Sequence, residues 1–409
     1  MSRGLGDVYK RQLQIPASKS YCHRYIIAAS LAKEMSILHN ISLSDDIQST
    51  IEIMKKLGAK IEQKEQDFLI QKGDICDNKK NLHFFCSESA STLRFLIPLS
   101  LIQYRKVSFY GRNTLPNRPL SPFFPILNSS GISFRTEGEN SLCIQLEGQL
   151  KAGNYSLEGN ISSQFITGLL FALPLLDGNS QLHILGNLES KAYVDMSLDV
   201  LEKFKIQIFR EKNHFFIPGK QEYQAYSTTI EGDYSQAAFF LVANSMGNEI
   251  EIAGLTKDSK QADFQISSMI QALEEKAPQE TLILDGSQCP DIIPILSVKA
   301  ALTQGKTVIQ NIKRLRMKEC DRLHATADIL NKLGAKVVEN SSSLEFEGVS
   351  HFKGNSVSSF EDHRMAMMIA VASTRCQGEI LLDNATCVSK SYPTFWEDFK
   401  SLGGKYVLG

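Results

Sequence analysis

The stretch "PASKSYCHR" (Pro16 to Arg24) sets Ser18, Lys19, Ser20 and Arg24 at the mouth of a helix whose body, "YIIAASLA", is apolar. Five more mouths of this kind follow: "SESAST", "ISSQF", "EGDYSQ", "CPD" and "EDHR", each opening an apolar run. Helix N-termini present free N–H groups and about half a positive charge, so they bind anions. Ser and Asp at such positions also cap helices, and capping alone accounts for any one mouth. It does not require Lys19, Arg24, Arg94 or Arg364. Cations at the first turns of buried helices predict several mouths converging on an anionic ligand.

More cations lie between the apolar runs. "LPNRPL" places Arg118 between turn-forming prolines, "RLRMKECDRL" holds Arg314, Arg316, Lys318 and Arg322, and "CVSKSYPTF" places Lys390 in a polar turn. Taken alone, the "RLRMKECDRL" cluster is an ordinary surface helix face. Two carboxylates stand among these groups: Asp291 at a Pro-led helix mouth, where it could equally be a cap, and Glu319 beside Lys318, Asp321 and Arg322. A carboxylate among cations can exchange protons with a bound substrate if its pKa suits. His363 is either a capped core histidine or a donor to a phosphate. No Walker loop, G-x-G-x-x-G, H-E-x-x-H or G-x-S-x-G occurs, so the anion is held without the usual nucleotide or hydrolase signatures.

Composition narrows the class. The chain has 409 residues and is 43% hydrophobic, enough for two domains with substantial cores. A net charge of -1 gives no bulk attraction to nucleic acid or membrane, so the anion site is local. The eight cysteines show no C-x-x-C pair, which favours a reduced, cytoplasmic chain over a zinc or dithiol protein. Apolar runs reach about twelve residues, short of the roughly 20 that cross a bilayer. "MSRGLGDVYKRQ" lacks the apolar core of a signal peptide and matches nothing downstream, so residues 1–12 are read as a non-native leader.

A repeat positions the mouths. "IMKKLGAKIEQKEQDFLIQKG" from Ile53 and "ILNKLGAKVVENSSSLEFEG" from Ile329 both read as helix end, Gly stop, strand, polar turn and strand. Looser copies start at Ile126, Val200 and Met269, and a sixth at Phe395 is cut off by the C-terminus. The spacing is about 70 residues, longer than common solenoid periods of about 20–50. A second repeat interleaves: all-round apolar helices start near Ser18, Glu88, Ser162, Asp233, Pro290 and Asp362 and must be buried. The chain is therefore read as α/β (α+β), with six βαβαββ units forming two similar domains of three.

In order from Leu13 onward, these motifs resemble the EPSP synthase family, the 3-phosphoshikimate 1-carboxyvinyltransferases. "PASKSYCHR" is similar to the family's P-x-S-K-S-x-x-x-R, "SESASTLRFL" to N-[AS]-G-T-x-x-R and "LPNRPL" to R-x-R-P. "SSQFITGLL", "SKAYVDMSLDVL", "EGDYSQAAFFL", "CPDIIPIL", "RLRMKECDRL", "EDHRMAM" and "CVSKSYPTF" complete the series. The resemblance implies buried helices pointing into an interdomain cleft and two chain crossings, near Lys19 and Glu231. It implies an end-bearing domain of residues 13–18 and 232–409, with 19–231 inserted. It further implies transfer of the enolpyruvyl group of phosphoenolpyruvate to the 5-hydroxyl of shikimate 3-phosphate, with no metal or organic cofactor. The expected partners are these two small molecules, without nucleic acid or membrane, and the expected state is a monomer.

By resemblance, the shikimate 3-phosphate site takes Lys19, Ser20, Arg24, Ser162, Ser163, Gln164, Ser190, Tyr193, Asp291 and Lys318. The phosphoenolpyruvate site takes Lys19, Ala90, Arg118, Gln164, Arg322, His363, Arg364 and Lys390, with Arg94 supporting its loop. Lys19, Asp291 and Glu319 are the expected catalytic groups, Asp291 on the 5-hydroxyl and Glu319 on the methylene carbon. The chain departs from the family with Ala90 for Gly, Glu88 for Asn and Arg314 for Asn. Two alternatives share the scaffold: the UDP-N-acetylglucosamine enolpyruvyltransferases and a non-catalytic anion binder. The former carry Lys-Asn where Lys19-Ser20 stands and a loop cysteine that Arg118-Pro119 lacks. Like charges facing each other across the cleft are expected to hold it open until substrate binds.

Overall fold

The computed structural model describes residues 11–74, 81–137 and 141–407. Their buried side chains form two hydrophobic cores. One runs from Ala17 to Ile230, and the other joins Leu13 and Ile15 to Tyr234 through Leu402. We refer to the bodies around them as the first and second lobes. Two separate cores rule out a continuous solenoid.

Each lobe is centred on three helices that are apolar nearly all round: Lys19–Leu31, Ala90–Gln103 and Ser163–Ala172 in the first, and Tyr234–Ser245, Ile293–Leu302 and His363–Ser373 in the second. With no polar stripe to turn to water, they pack on one another, and amphipathic helices and sheets cover them. Gly168 permits the closest approach in the first lobe. A Cβ there would sit 2.3 Å from Arg94 O, so the Ser163 helix lies directly on the Ala90 helix.

The first lobe completes its repeat. Three four-stranded sheets each pair two parallel strands and add an antiparallel hairpin, as in Leu82–Phe85, Lys106–Arg112, Ser141–Glu147 and Ser133–Glu137. One sheet takes its outer strand, Thr228–Thr229, from the end of the lobe. The second lobe has one such sheet, built from Thr281–Asp285, Lys306–Gln310, Leu344–Glu347 and Lys336–Glu339. Its other described strands form two-stranded parallel pairs. The Met269 copy accordingly departs from expectation. Helix Ile266–Glu275 ends, and the chain turns through Pro278 straight into Thr281–Asp285 with no hairpin between. The two most similar copies end alike, with left-handed Gly58 (φ 103°) and Gly334 (φ 86°) turning the chain out of its helix.

The chain passes between the lobes along two adjacent segments. Ala17 bridges Gly232, Ser18 N donates to Glu231 O (2.8 Å) and Asp233 N to Pro16 O (2.9 Å). Residues 1–10 of the expected leader, and Cys76, lie outside the described residues. Arg11 and Gln12, its last two residues, differ from expectation. They open strand Arg11–Gln14, which pairs in parallel with Ile250–Ala253, and the Arg11 side chain donates to Leu402 O.

Candidate active site

The six buried helices bring their N-termini to the space between the lobes. Ser89, Ser162, Asp233 and Asp362 accept hydrogen bonds from first-turn N–H groups, so capping and convergence coexist. The Pro290 mouth starts later than expected. Pro290 and Asp291 form a turn, and the helix begins at Ile293. This frees the Asp291 carboxylate to face the cleft rather than cap.

A cavity there is lined by Lys19, Ser20, Arg24, Ala90, Arg118, Ser162, Ser163, Gln164, Ser190 and Tyr193 of the first lobe. Asp291, Lys318, Glu319, Arg322, His363 and Arg364 line it from the second. Lys390 stands beside it, 2.9 Å from Glu88 Oε2. Residues not expected at the site from sequence join them: Asp46, His23, Ser91, Phe95, Asp233 and Ser235, together with Arg314, which sequence marked as a departure from the family pattern. Asp46 holds Lys19 Nζ at 3.0 Å, and no motif flagged it, because an acid in a helix's first turn reads as dipole compensation. Arg314 was legible as one charge in a basic cluster and, by resemblance, as an arginine standing where the family has Asn.

Several groups are fixed by the protein itself. Arg24 donates to Ser197 Oγ, Ser20 O and Tyr193 O, which leaves it as a brace under the cavity floor. Gln164 is aimed by Arg94 Nη1 (2.7 Å) and by Ser91 Oγ (2.7 Å). Ser190 sits in the left-handed region (φ 53°) at the start of its helix. Its hydroxyl does not cap that helix but accepts from Arg314 Nη1 at 2.7 Å across the lobe boundary. A non-glycine residue there is uncommon and marks a position held by its contacts.

The second lobe supplies the titratable cluster. Asp291 Oδ1 meets Lys318 Nζ (3.1 Å) and Arg322 Nη1 (2.8 Å), while Arg364 Nη1 donates to Asp291 O (3.0 Å). Burial pushes the Asp291 carboxyl up, but Lys318, Arg364 and Arg322 outweigh it and hold the group well below the usual carboxylate range. Glu319 lies 2.6 Å from Arg322 and 3.3 Å from Arg118. Against burial, these arginines, with Lys390, keep it ionised too. Burial moves Lys318 the other way, down to about 8, although Asp291 pulls it up. Arg322, 1% exposed, is anchored by Asp362 at 2.7 Å. His363 is equally buried, and burial with the nearby Lys19 and Arg364 keeps it neutral. Neither of its ring nitrogens, nor Arg118 Nε, has a hydrogen-bond partner among the described residues.

Across the boundary opposite charges meet, contrary to the expected repulsion: Arg118 with Glu319, Lys390 with Glu88 and Arg314 with Glu189. The cations that would receive a polyanion are held by carboxylates instead.

Fold and cleft together define a two-lobed α/β protein with an anion-binding cleft, its helix mouths and cations gathered around a pair of ionised carboxylates. The family model for EPSP synthase (3-phosphoshikimate 1-carboxyvinyltransferase) matches residues 6–399. The chain belongs to the EPSP synthase family. It is 47% identical over 408 residues to a 3-phosphoshikimate 1-carboxyvinyltransferase of Clostridium perfringens, covering 96% of each chain. The Clostridium beijerinckii enzyme of that name is 45% identical over 417 residues, covering 97% of this chain and 95% of that one. The fold matches an EPSP synthase structure from Acinetobacter baumannii with a TM-score of 0.78 at 21% identity, covering 96% of both. No helix among the described residues is long and apolar enough to cross a membrane.

Proposed function

We propose that this chain transfers the enolpyruvyl group of phosphoenolpyruvate to the 5-hydroxyl of shikimate 3-phosphate and releases phosphate, a step toward chorismate and the aromatic amino acids. One observation carries the reading of the site: Arg118 and His363 line the cavity, and each has a buried donor without a partner among the described residues. Buried polar groups are normally hydrogen-bonded, and these two fit a phosphate.

Asp291, held ionised, accepts the proton of the 5-hydroxyl as that oxygen attacks C2 of phosphoenolpyruvate. Glu319 delivers a proton to C3, which closes a tetrahedral intermediate. The intermediate then loses a proton from C3 as its C2–O bond to phosphate breaks. For Glu319 to act as an acid its pKa must rise. An arriving phosphate supplies the cause: it draws Arg118 away from Glu319 and adds negative charge nearby. Lys19, Arg322, Arg364 and Lys390 stabilise the phosphoryl and carboxylate charge. Shikimate 3-phosphate lies on Ser162, Ser163, Gln164, Ser190 and Tyr193, with Lys318 shared between Asp291 and the shikimate ring. The domains divide at Lys19 and Glu231, where the paired crossings serve as a hinge, and substrate entry exchanges cross-lobe ion pairs for phosphate contacts.

A phosphate-release assay with both substrates tests this. Turnover is expected only when both are present. Release with UDP-N-acetylglucosamine in place of shikimate 3-phosphate would assign the chain to the other transferase, and binding without release would make it an anion binder.

A further inference from the structure

A carboxylate outside the expected site lies against it. Asp263, in the turn Ala262–Gln265 of the second lobe, is 1% exposed. Its Oδ2 accepts from the Ser235 hydroxyl and lies 3.3 Å from the Tyr193 hydroxyl of the first lobe. That phenol also lies 3.2 Å from Asp291 Oδ2. A phenol has one proton to donate, so two anionic carboxylates cannot both be its hydrogen-bond partners. One carboxyl must bring a second proton.

The surroundings decide which. Asp291 is fixed as an anion by Lys318 and Arg322. Among the described residues Asp263 has no ion pair, and its Oδ1 is buried without a partner. A bare buried oxygen costs far more on an ionised carboxylate than on a neutral acid, where it is a carbonyl. We propose that Asp263 is a neutral carboxylic acid that donates to the Tyr193 oxygen and thereby acts as a positioning residue, aiming the phenol of one lobe at Asp291 of the other.

Every element packed on the turn is consistent with this. Tyr193 comes from helix Lys191–Lys203, whose Asp199 is already neutralised by Lys203 and Lys260. Asp233 and Ser235 come from the mouth of the Tyr234 helix, Cys289 and Asp291 from the turn before Ile293, and Arg364 from the His363 helix. The adjoining helix Ile266–Glu275 carries its acids, Glu274 and Glu275, at its far end. Burial and Asp291 push the Asp263 carboxyl up to about 7, while Arg364 and Ser235 pull it down. The clasp is therefore complete below about pH 7 and loosens as pH rises through that value.

The inference rests on Asp291 acting on the reacting hydroxyl, and its test separates the two. The probe is Asp263→Asn, which keeps the shape and offers N–H where the acid has O–H. The infrared difference spectrum, parent minus variant at about pH 6, is expected to show the C=O band of a protonated carboxyl. The KM for shikimate 3-phosphate is expected within about three-fold of the parent at about pH 6, with the parent-to-variant ratio climbing by up to about tenfold per unit above about pH 7. Absence of the protonated-carboxyl band overturns the proposal whether or not the parent turns over. So does a constant KM ratio, or a variant that cannot fold, since either means the neutral form is not the working one. Failure of the parent to turn over counts against the proposed function alone.

Discussion

The two lobes share a helical plan and differ in what they bring to the cleft. The first lobe has three complete four-stranded sheets and lines the cavity with hydroxyls, an amide, a histidine, arginines and a lysine paired with its one carboxylate there, Asp46. The second has one complete sheet, yet Asp291, Glu319, Asp362 and Asp263 all belong to it, with displaced pKa values at Asp291, Glu319, Asp263 and Lys318. On the proposed mechanism, the regular lobe holds the ligand and the trimmed lobe moves the protons. Repeated architecture thus fixes where helix mouths point, while the chemistry comes from side chains placed at the mouths and in the turns between elements.

The sharpest test of this division is a paired substitution. Glu319→Gln is expected to lower kcat by about 10²–10⁴-fold with KM within a few-fold, because the amide keeps the shape and cannot carry the proton. Gln164→Ala on the first lobe is expected to raise KM by about tenfold with a smaller change in kcat. Steady-state kinetics on both variants checks the contrast, and a Glu319 variant with parental kcat would dissolve it.

Lys318 makes the second lobe's role visible in pH. With its ammonium pushed down by burial to about 8, the charge is present below that value and lost above it. The KM for shikimate 3-phosphate should rise by about tenfold per unit above about pH 8. Lys318→Arg should carry this limb beyond the accessible range, since guanidinium stays charged, and leave only the one that Asp263 sets above about pH 7. An unmoved limb would assign the titration elsewhere.

On the first lobe, Ala90 opens its helix and lines the cavity at 5% exposure. The family resemblance places glyphosate, longer than phosphoenolpyruvate, beside this residue. Overpacking typically costs about 1–3 kcal/mol, so Ala90→Gly should lower the glyphosate inhibition constant by about tenfold or more while phosphoenolpyruvate KM moves less. Inhibition titrations on the two proteins settle it, and an unchanged constant removes the methyl as the gate. The smallest effect belongs to the pair joining the lobes. Glu88→Gln frees Lys390 and should lower phosphoenolpyruvate KM by about two- to five-fold, because a partly exposed ion pair contributes little. A raised KM would show Glu88 helping to hold substrate.

Much of the positioning was legible in the sequence, because helices apolar on every face can only be buried and their polar first turns must then face something. The start at Pro290 was read too early, since a proline fits a turn as well as a first helical turn, and here Asp291 uses the turn. The hairpin expected after Met269 is absent. There "KAPQE" joins helix to strand directly, and local composition does not separate a connecting turn from a hairpin. Asp46 and Asp263 were not legible as site residues at all, and Arg314 only as a departure from the family pattern. The residues they meet, Lys19, Tyr193 and Ser190, lie 27, 70 and 124 positions away in the chain, and only folding brings them together.

The strand Arg11–Gln14 has a consequence for synthesis. Its partner, Ile250–Ala253, is made about 240 residues later, whereas every strand of the first lobe's sheets lies within the chain between them. A ribosome therefore releases the complete first lobe while the opening strand still waits unpaired. On the proposed mechanism, the half that holds the ligand thus acquires its shape during translation, and the half that moves protons closes only after the last helices emerge.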